Sequence, residues 1–336
     1  MQPTRADLSR PASKIVMDLR QLRYFTVLAA HQHFGRAAAV LHIAQPALSR
    51  QVQLLEAELG VKLVERHSRG ASLTREGELL LDRATFLLRY ADQIRVDIMD
   101  LQGTPRGTVA LGLPPAFAGF FVLPLTRALR DQYPEVRLRV NESFSPSLSD
   151  ALERGTLDVA LLTGPIAAPA QIHAELLLTE GLCAIGPASD ARLAVPSLQI
   201  QALSEVPLIL AGLQKSGVRL AVERGAANAN LVLNDVMEVE SADVAAQLVA
   251  DGAGWTVHVA SAVRREIQAG LLRAIPIDGL VLERFLAHAR QRPPSSATIA
   301  LMSTIRALVA AMIGTGDWPM AQAHETTVEP TGTRDE

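Results

Sequence analysis

Between Leu80 and Leu101 one apolar residue recurs every seven positions: Leu80, Leu87, Ile94 and Leu101. Ala84, Ala91 and Ile98 follow the first three by four residues each. This is an a/d heptad pattern held over three repeats, and it commits the chain to one long helix. The spacing predicts a helix from about Arg75 to Gln102, roughly 40 Å long at 1.5 Å per residue. Its apolar stripe is narrow and is flanked by Arg83, Arg89, Asp92 and Arg95. So narrow a seam asks for a second helix, and pairing with another copy of the chain is the expected answer. The alternative is a helix lying on its own domain. Either way the helix cuts the chain into a short head and a long body, as 336 residues require, because one core does not grow to that size.

The head reads as three short helices and a hairpin. A first helix over Leu19–His31 carries Leu22, Phe25, Leu28 and Ala29 on one stripe. A second, Gly35–Leu41, is rich in small residues that allow close approach. A third lies in HIAQPALSRQVQLLEAELG, with Leu48, Val52, Leu55 and Leu59 on one face and Gly60 as its stop. Pro46 falls in its first turn, where a missing N–H costs little. Ala44 is a poor cap at the same place, at a cost of roughly 1 kcal/mol. The N-terminal end of this helix is therefore expected to be open to an outside partner. Three helices with a tight turn before the last form a helix-turn-helix. Val61, Leu63 and Val64 then read as a strand, Arg66–Gly70 as a basic turn, and Ala71–Leu73 as the return. Together they make a wing.

Charge separates the two parts. Residues 17–75 hold eight basic and four acidic side chains, a balance of +4, in a chain whose net charge is −3. A basic head on an acidic body points to a polyanion that meets the head alone.

After a break at Gly103–Gly107, strands and helices alternate from GTVALGLPP to LDVALLTGP, which predicts a parallel α/β sheet. The pattern loosens between Ile172 and Pro276 and closes on an amphipathic helix, Ala297–Ile313. Cys183 is the only cysteine, so the chain can form no internal disulfide and no cysteine-based metal cluster. The expected compartment is the cytoplasm. The apolar runs fall short of a membrane span, and residues 1–16 lack the apolar stretch of a signal peptide. Those sixteen residues and the end from 316 to 336 show no period and are expected to be disordered; Met17 opens the patterned region and is an alternative start. Asp150 and Asp158 read as helix-start and strand-edge residues. A Gly-rich phosphate loop, H-E-x-x-H and G-x-S-x-G are all missing, so no enzyme and no cofactor are expected.

The stretch from Leu19 to Gly77 carries LRYF, RAA, LHIAQPALSRQV, LE, LG, ER and LT in that order. It resembles the winged helix-turn-helix head of the LysR-type transcriptional regulators, and the wording is most similar to their nitrogen-assimilation-control branch. The resemblance implies an α/β multidomain protein: a winged head (17–75), a linker and dimerisation helix (76–104), and a two-lobed body (105–315) similar to type 2 periplasmic binding proteins. Lobe I would be 105–164 and 276–315, and lobe II 165–275. The third helix would enter a major groove, with Gln45, Pro46, Ala47, Arg50 and Gln53 near bases and Ser49 near phosphate. Arg36, Arg66 and Arg69 would hold phosphates, although Arg66 could instead pair with Glu56 or Glu58; Lys62 reads as a solvated residue.

The resemblance also implies a small-molecule co-inducer in a cleft between lobes. Wall segments would be Pro114–Phe120, Ser143–Ser149, Gln214–Arg219 and Val257–Ser261, with Pro115, Ala116, Ser143, Ser145, Ser147, Thr163, Lys215, Ser216, Arg219 and His258 as the contacts. Ser145, Ser147 and Ser149 open a helix and could simply cap it. His258 stands where relatives more usually have an aliphatic residue, and PPAFAGFF lacks the hydroxyls of many relatives, so an apolar or aromatic ligand, or a response without any ligand, is an alternative to an acid. His258 could equally be a satisfied, partly buried histidine. Partners would be an operator of double-stranded DNA with dyad symmetry, a second copy in a homodimer or homotetramer, and RNA polymerase where the regulator activates; no membrane is expected. A solute-binding protein is the competing reading of the body.

Overall fold

The computed structural model describes residues 17–324 apart from 69, 100–103, 167–170, 213 and 215. Contacts divide the chain into two compact units, Met1–Arg95 and Val96–Glu336. The expected disorder of residues 1–16, and the seam position Leu101, lie outside the described residues.

In the first unit α1 (Leu19–His31) begins with a capping box, in which Asp18 accepts from the Gln21 amide and Gln21 answers to the Asp18 amide. It is followed by α2 (Phe34–Val40) and α3 (Gln45–Leu59). His42 takes a left-handed φ of 53° in the turn between α2 and α3, and the His42 and Ile43 amides return to Ala39 and Ala38. That fixes where α3 starts. Phe25, Leu28, Phe34, Ala37, Leu48, Val52 and Leu55 form the core. Leu59, expected on the buried face, is instead 40% exposed, and Glu56 is buried in its place.

The wing is β1 (Val64–His67) paired antiparallel with β2 (Gly70–Leu73), so its first strand starts three residues later than the sequence suggested. It is tied to the helices by the Ala71 amide donating to Gln32 O. Then α4 runs from Arg75 to Met99. Thr74 caps it, accepting from the Gly77 amide and donating to Lys62 O. Gly77 is required there, because a Cβ would meet the Leu63 carbonyl oxygen at 2.1 Å.

The second unit is built in chain order from β3 (Gly107–Leu113), α5 (Pro115–Gln132), β4 (Val136–Glu142), α6 (Ser145–Arg154), β5 (Val159–Thr163) and β6 (Ile172–Pro187). It continues with β7 (Leu208–Ala211), α7 (Gly217–Asn228), β8 (Asp235–Val239), α8 (Ala242–Ala250), β9 (Trp255–Val259), α9 (Arg264–Gln268), β10 (Leu272–Ala289), α10 (Ser296–Gly314) and β11 (Ala321–Ala323). The sheet order is β4-β3-β5-β10-β6-β9-β7-β8, with β11 added beside β6. Pairs β3–β4, β3–β5, β7–β8 and β7–β9 are parallel, as expected for each lobe.

The sequence reading missed the two long antiparallel strands that carry both lobes. β6 and β10 pair from Ile172 with Ala289 to Pro187 with Leu272. This moves the lobe boundary. β10 pairs with β5 as far as Arg284–Thr163, and Leu177 and Leu178 belong to the lobe I core. Leu182, Ala184 and Leu282 belong to the lobe II core. The chain therefore crosses between lobes near 180–182 and 282–284. It does not cross at Thr163–Pro165 or at Ile275–Gly279, where it is still running along one lobe.

Two further expectations are corrected. α10 is long and apolar enough to cross a membrane by length and composition, but half of it is buried. Leu301, Ile305 and Val309 are in the core of lobe I. The segment after α10, expected to be disordered from 316, is ordered through His324. Trp318 is buried in lobe I and β11 pairs with residues 178–180 of β6.

Candidate nucleic-acid interface and effector cleft

The starting turn of α3 is open. Ala44 makes no side-chain cap, Pro46 sits in the first turn, and Gln45, Pro46 and Ala47 are exposed. Helical spacing places Pro46, Ser49, Arg50 and Gln53 on one face, and of these only Ser49 is half-buried while the rest are exposed. The opposite face, Leu48, Val52 and Leu55, is fully packed.

Arg66 reaches from β1 back to this face. Its Nη2 donates to Ser49 Oγ at 2.6 Å, and its guanidinium lies 4.3 Å from the centre of the Phe34 ring. The alternative pairing with Glu56 is not what forms. The Glu56 carboxylate accepts from Lys62 at 2.9 Å and from the Leu63 and Val64 amides at 2.9 and 3.2 Å. Burial raises the pKa of that carboxyl, but the hydrogen bonds from Lys62 and the two amides outweigh burial and hold it below its ordinary value. Lys62, expected to be free in solvent, is exposed but is the partner of Glu56. Arg36 is exposed and its Nη2 donates to His31 O. Arg69 lies outside the described residues.

The heptad seam of α4 divides in two. Leu80 packs against the head core, and Ala84 is fully buried. Ala91 is half-buried. Leu87, Ile94 and Ile98 are 40%, 44% and 64% exposed.

In the second unit a cavity of about 1040 Å³ opens between the lobes. Pro115, Ala116, Ser145, Thr163, Ser216 and His258 line it, as expected. Ser143 and Ser147 are not among its lining residues. Ser145 Oγ is occupied: it accepts from the Thr163 amide at 2.8 Å and donates to Thr163 O at 3.1 Å, which pins α6 to the end of β5. Arg219 is also absent from the lining, contrary to expectation. Its Nε donates to Glu223 at 2.5 Å and its Nη2 to Glu238 at 2.7 Å. Lys215 lies outside the described residues.

His258 is buried at the cleft wall. The Val259 amide donates to its Nδ1 at 2.9 Å, so Nδ1 is the unprotonated nitrogen and Nε2 carries the hydrogen. Burial first, and then the charge of Arg284, push its pKa down to about 4. The ring is neutral at physiological pH, a donor without a charge.

The sequence reading missed the charged floor of the cleft. Arg284 on β10 donates through Nε to Glu180 Oε1 at 2.7 Å and through Nη1 to Thr163 Oγ1 at 2.5 Å. Its Nη2 is 2.6 Å from Glu180 Oε1, and both side chains are almost wholly buried. Glu180 Oε2 accepts from Trp318 Nε1 at 2.8 Å and from Ser261 Oγ at 3.3 Å. Glu180 accepts from Arg284, Trp318 and Ser261, and these donors allow its charge to be buried. No local spacing relates residues 104 apart, so only strand pairing could have brought this pair to light. Cys183, next to the crossover, is buried and its thiol is pushed up to about 12, chiefly by desolvation, so it is not a nucleophile. The cleft has the chemistry of a binding site: the hydroxyls of Ser145, Thr163 and Ser216 and the neutral His258 ring stand on walls that are apolar at α5 and carry charge at Glu142, Asp243, Arg264, Arg265 and Arg284.

Residues 19–78 match the family described as bacterial regulatory helix-turn-helix protein, lysR family, and residues 102–315 match the LysR substrate binding domain. The chain is 35% identical over 251 residues to the nitrogen assimilation regulatory protein nac of Klebsiella aerogenes, covering 74% of this chain and 80% of that one. A full-length OxyR variant from Pseudomonas aeruginosa superposes with a TM-score of 0.69 at 28% identity, covering 86% of this chain and 95% of that one. Full-length CbnR in complex with its target DNA has the same fold, with a TM-score of 0.65 at 22% identity over 87% of this chain and 99% of that one. The match of the head sets aside the solute-binding reading of the body. The chain belongs to the LysR family: it is a DNA-binding transcriptional regulator with a helix-turn-helix head and an effector-binding domain, and not an enzyme.

Proposed function

We propose that the exposed face of α3 enters the major groove of an operator with dyad symmetry, two heads at a time, and that the cleft holds the small molecule that controls this binding. One observation carries the first part. Pro46, Arg50 and Gln53 lie exposed along one face that starts at an uncapped helix end, and Arg66 borders that face. Gln45 and Arg50 have the donor geometry for adenine and guanine edges, and Pro46 and Ala47 suit a thymine methyl. Ser49, Arg36, Arg66 and Arg69 are phosphate contacts. The Ser49–Arg66 hydrogen bond supports their acting on one phosphate together.

Pairing of two chains through Leu87, Ala91, Ile94, Ile98 and Leu101 spaces the heads, and a homotetramer is two such pairs. Effector binding favours one lobe arrangement over another and so shifts the population of DNA-binding states. Contacts in the cleft come from Pro115, Ala116, Thr163, Ser216 and His258, with the neutral Nε2–H of His258 as a donor. The regulator works in the cytoplasm, and contacts RNA polymerase where it activates.

The test is a mobility-shift titration on operator and scrambled DNA at fixed salt. Arg50→Ala is expected to lose about 1–3 kcal/mol on the operator and much less on the scrambled sequence. Arg69→Ala weakens both alike. Equal losses on both DNAs for both variants would sink this division of labour.

A further inference from the structure

The segment after α10 does more than finish lobe I. The family match ends at residue 315, and the chain continues in an ordered path to His324. Gly316 turns it with φ of 76°. The Trp318 ring then packs against Phe117 and Phe120 of α5, with centroids 5.2 and 4.9 Å away. Phe120 lines the cleft. The Trp318 indole N–H meets Glu180 at the crossover between lobes. Beyond it, Met320 O accepts from the Gly181 amide at 3.0 Å, β11 pairs with residues 178–180, and the His324 amide donates to Leu177 O.

The same segment also touches lobe II. Arg264, which begins α9 and lines the cleft, donates to Asp317 O at 2.7 Å and to Asp317 Oδ1 at 3.0 Å. Met320 Sδ lies 3.2 Å from the Sγ of Cys183, a lobe II core residue. The segment is thus anchored in lobe I by Trp318, laid along the strand that joins the lobes, and fastened to lobe II at its edge.

We propose that Thr315–His324 is a strap that holds the two lobes in the arrangement seen, and that its release from Arg264 and Glu180 frees the cleft to change its aperture. The buried Glu180–Arg284 pair is the fixed point, and the strap adds contacts that run from the end of α10 to the start of α9. The use of this device in regulation rests on reading the cleft as the effector site. The device itself does not, because lobe separation can be measured without any effector.

The experiment places spin labels on cysteines introduced at Arg137 on β4 and at Asp251 beyond α8, both exposed, with labelled full-length chain diluted into unlabelled chain. Buried Cys183 does not compete for the label. The unaltered strap should give one lobe-to-lobe distance. Combining Arg264→Ala with Trp318→Phe, which keeps a ring in the core while removing the N–H to Glu180, should add a second, longer population. Exchanging the charges in the Trp318→Phe background, Arg264→Asp with Asp317→Arg, should shrink the second population, because the ion pair returns although the hydrogen bond to Asp317 O does not. A chain ending at Gly314 should show the longer population most strongly; if it does not fold, the paired substitutions decide. An unchanged distance in the paired substitution overturns the proposal. So does a charge exchange that leaves the second population as large as in the paired substitution.

Discussion

At the scale of single residues the body keeps one histidine neutral well below the pH at which water would protonate it. His258 is neutral because burial and the neighbouring Arg284 charge bring its pKa to about 4 from an ordinary 6.5. Between these values the unfolded chain binds more protons than the folded one, so stability falls as pH drops. The expected loss from this residue is roughly 2–3 kcal/mol between pH 7 and pH 4.5, from 1.36 kcal/mol per unit. Both tryptophans, Trp255 and Trp318, are in the body, so fluorescence-detected urea unfolding reads that unit alone. His258→Gln should flatten the dependence over this range. An equally steep pH profile in the variant would assign the loss to other groups. The histidine was legible in the sequence as an oddity in GWTVHVAS, whereas its tautomer was not. That depends on a single backbone amide whose position only the fold fixes.

Elements were legible where their cause is local. α1, α2 and α3 are set by apolar spacing, by the Asp18 and His33 caps that begin α1 and α2, and by Gly60, which takes the left-handed φ of 70° that ends α3. β6 and β10 were not legible, because each passes from one core to another and is packed by different partners along its length. Their residues follow no single alternation. Trp318 was hidden for a related reason: it stands alone in a polar stretch, and its pocket is made by α5 and by Glu180 from far earlier in the chain. The helix α4 was legible from its heptad, but the burial of the seam positions differs along its length. Leu80 serves the head core and Ala84 is buried, whereas Leu87, Ile94 and Ile98 are left exposed.

A prediction about α4 follows from this split. Ile94→Asp combined with Ile98→Asp should shift the chain toward monomer in sedimentation velocity while the head melts as before. Ala84→Asp should lower the melting of the head, because a charge with no partner would enter a packed site. If the exposed pair left self-association intact, the seam would not be the dimer contact.

At the scale of the whole molecule, charge distribution decides which unit meets DNA. The head carries +4 over residues 17–75 within a chain of −3 overall, so the remainder is acidic. An acidic body is repelled by phosphates and leaves binding to the heads. Arg36, Arg66 and Arg69 would then supply three neutralising contacts per head, or about six for a pair. Counterion release at that number gives a slope of about −5 in log K against log salt. Arg36→Ala, which removes one contact from each head, should reduce the magnitude of that slope by about 2. Arg290→Ala, an exposed change at the end of β10 in the body, should leave it unchanged. A fluorescence-anisotropy titration at several salt concentrations measures both slopes. If the body substitution changed the slope as much as the head substitution, the acidic unit would have to lie against the duplex. The division between a DNA-reading head and a DNA-avoiding body would then fail.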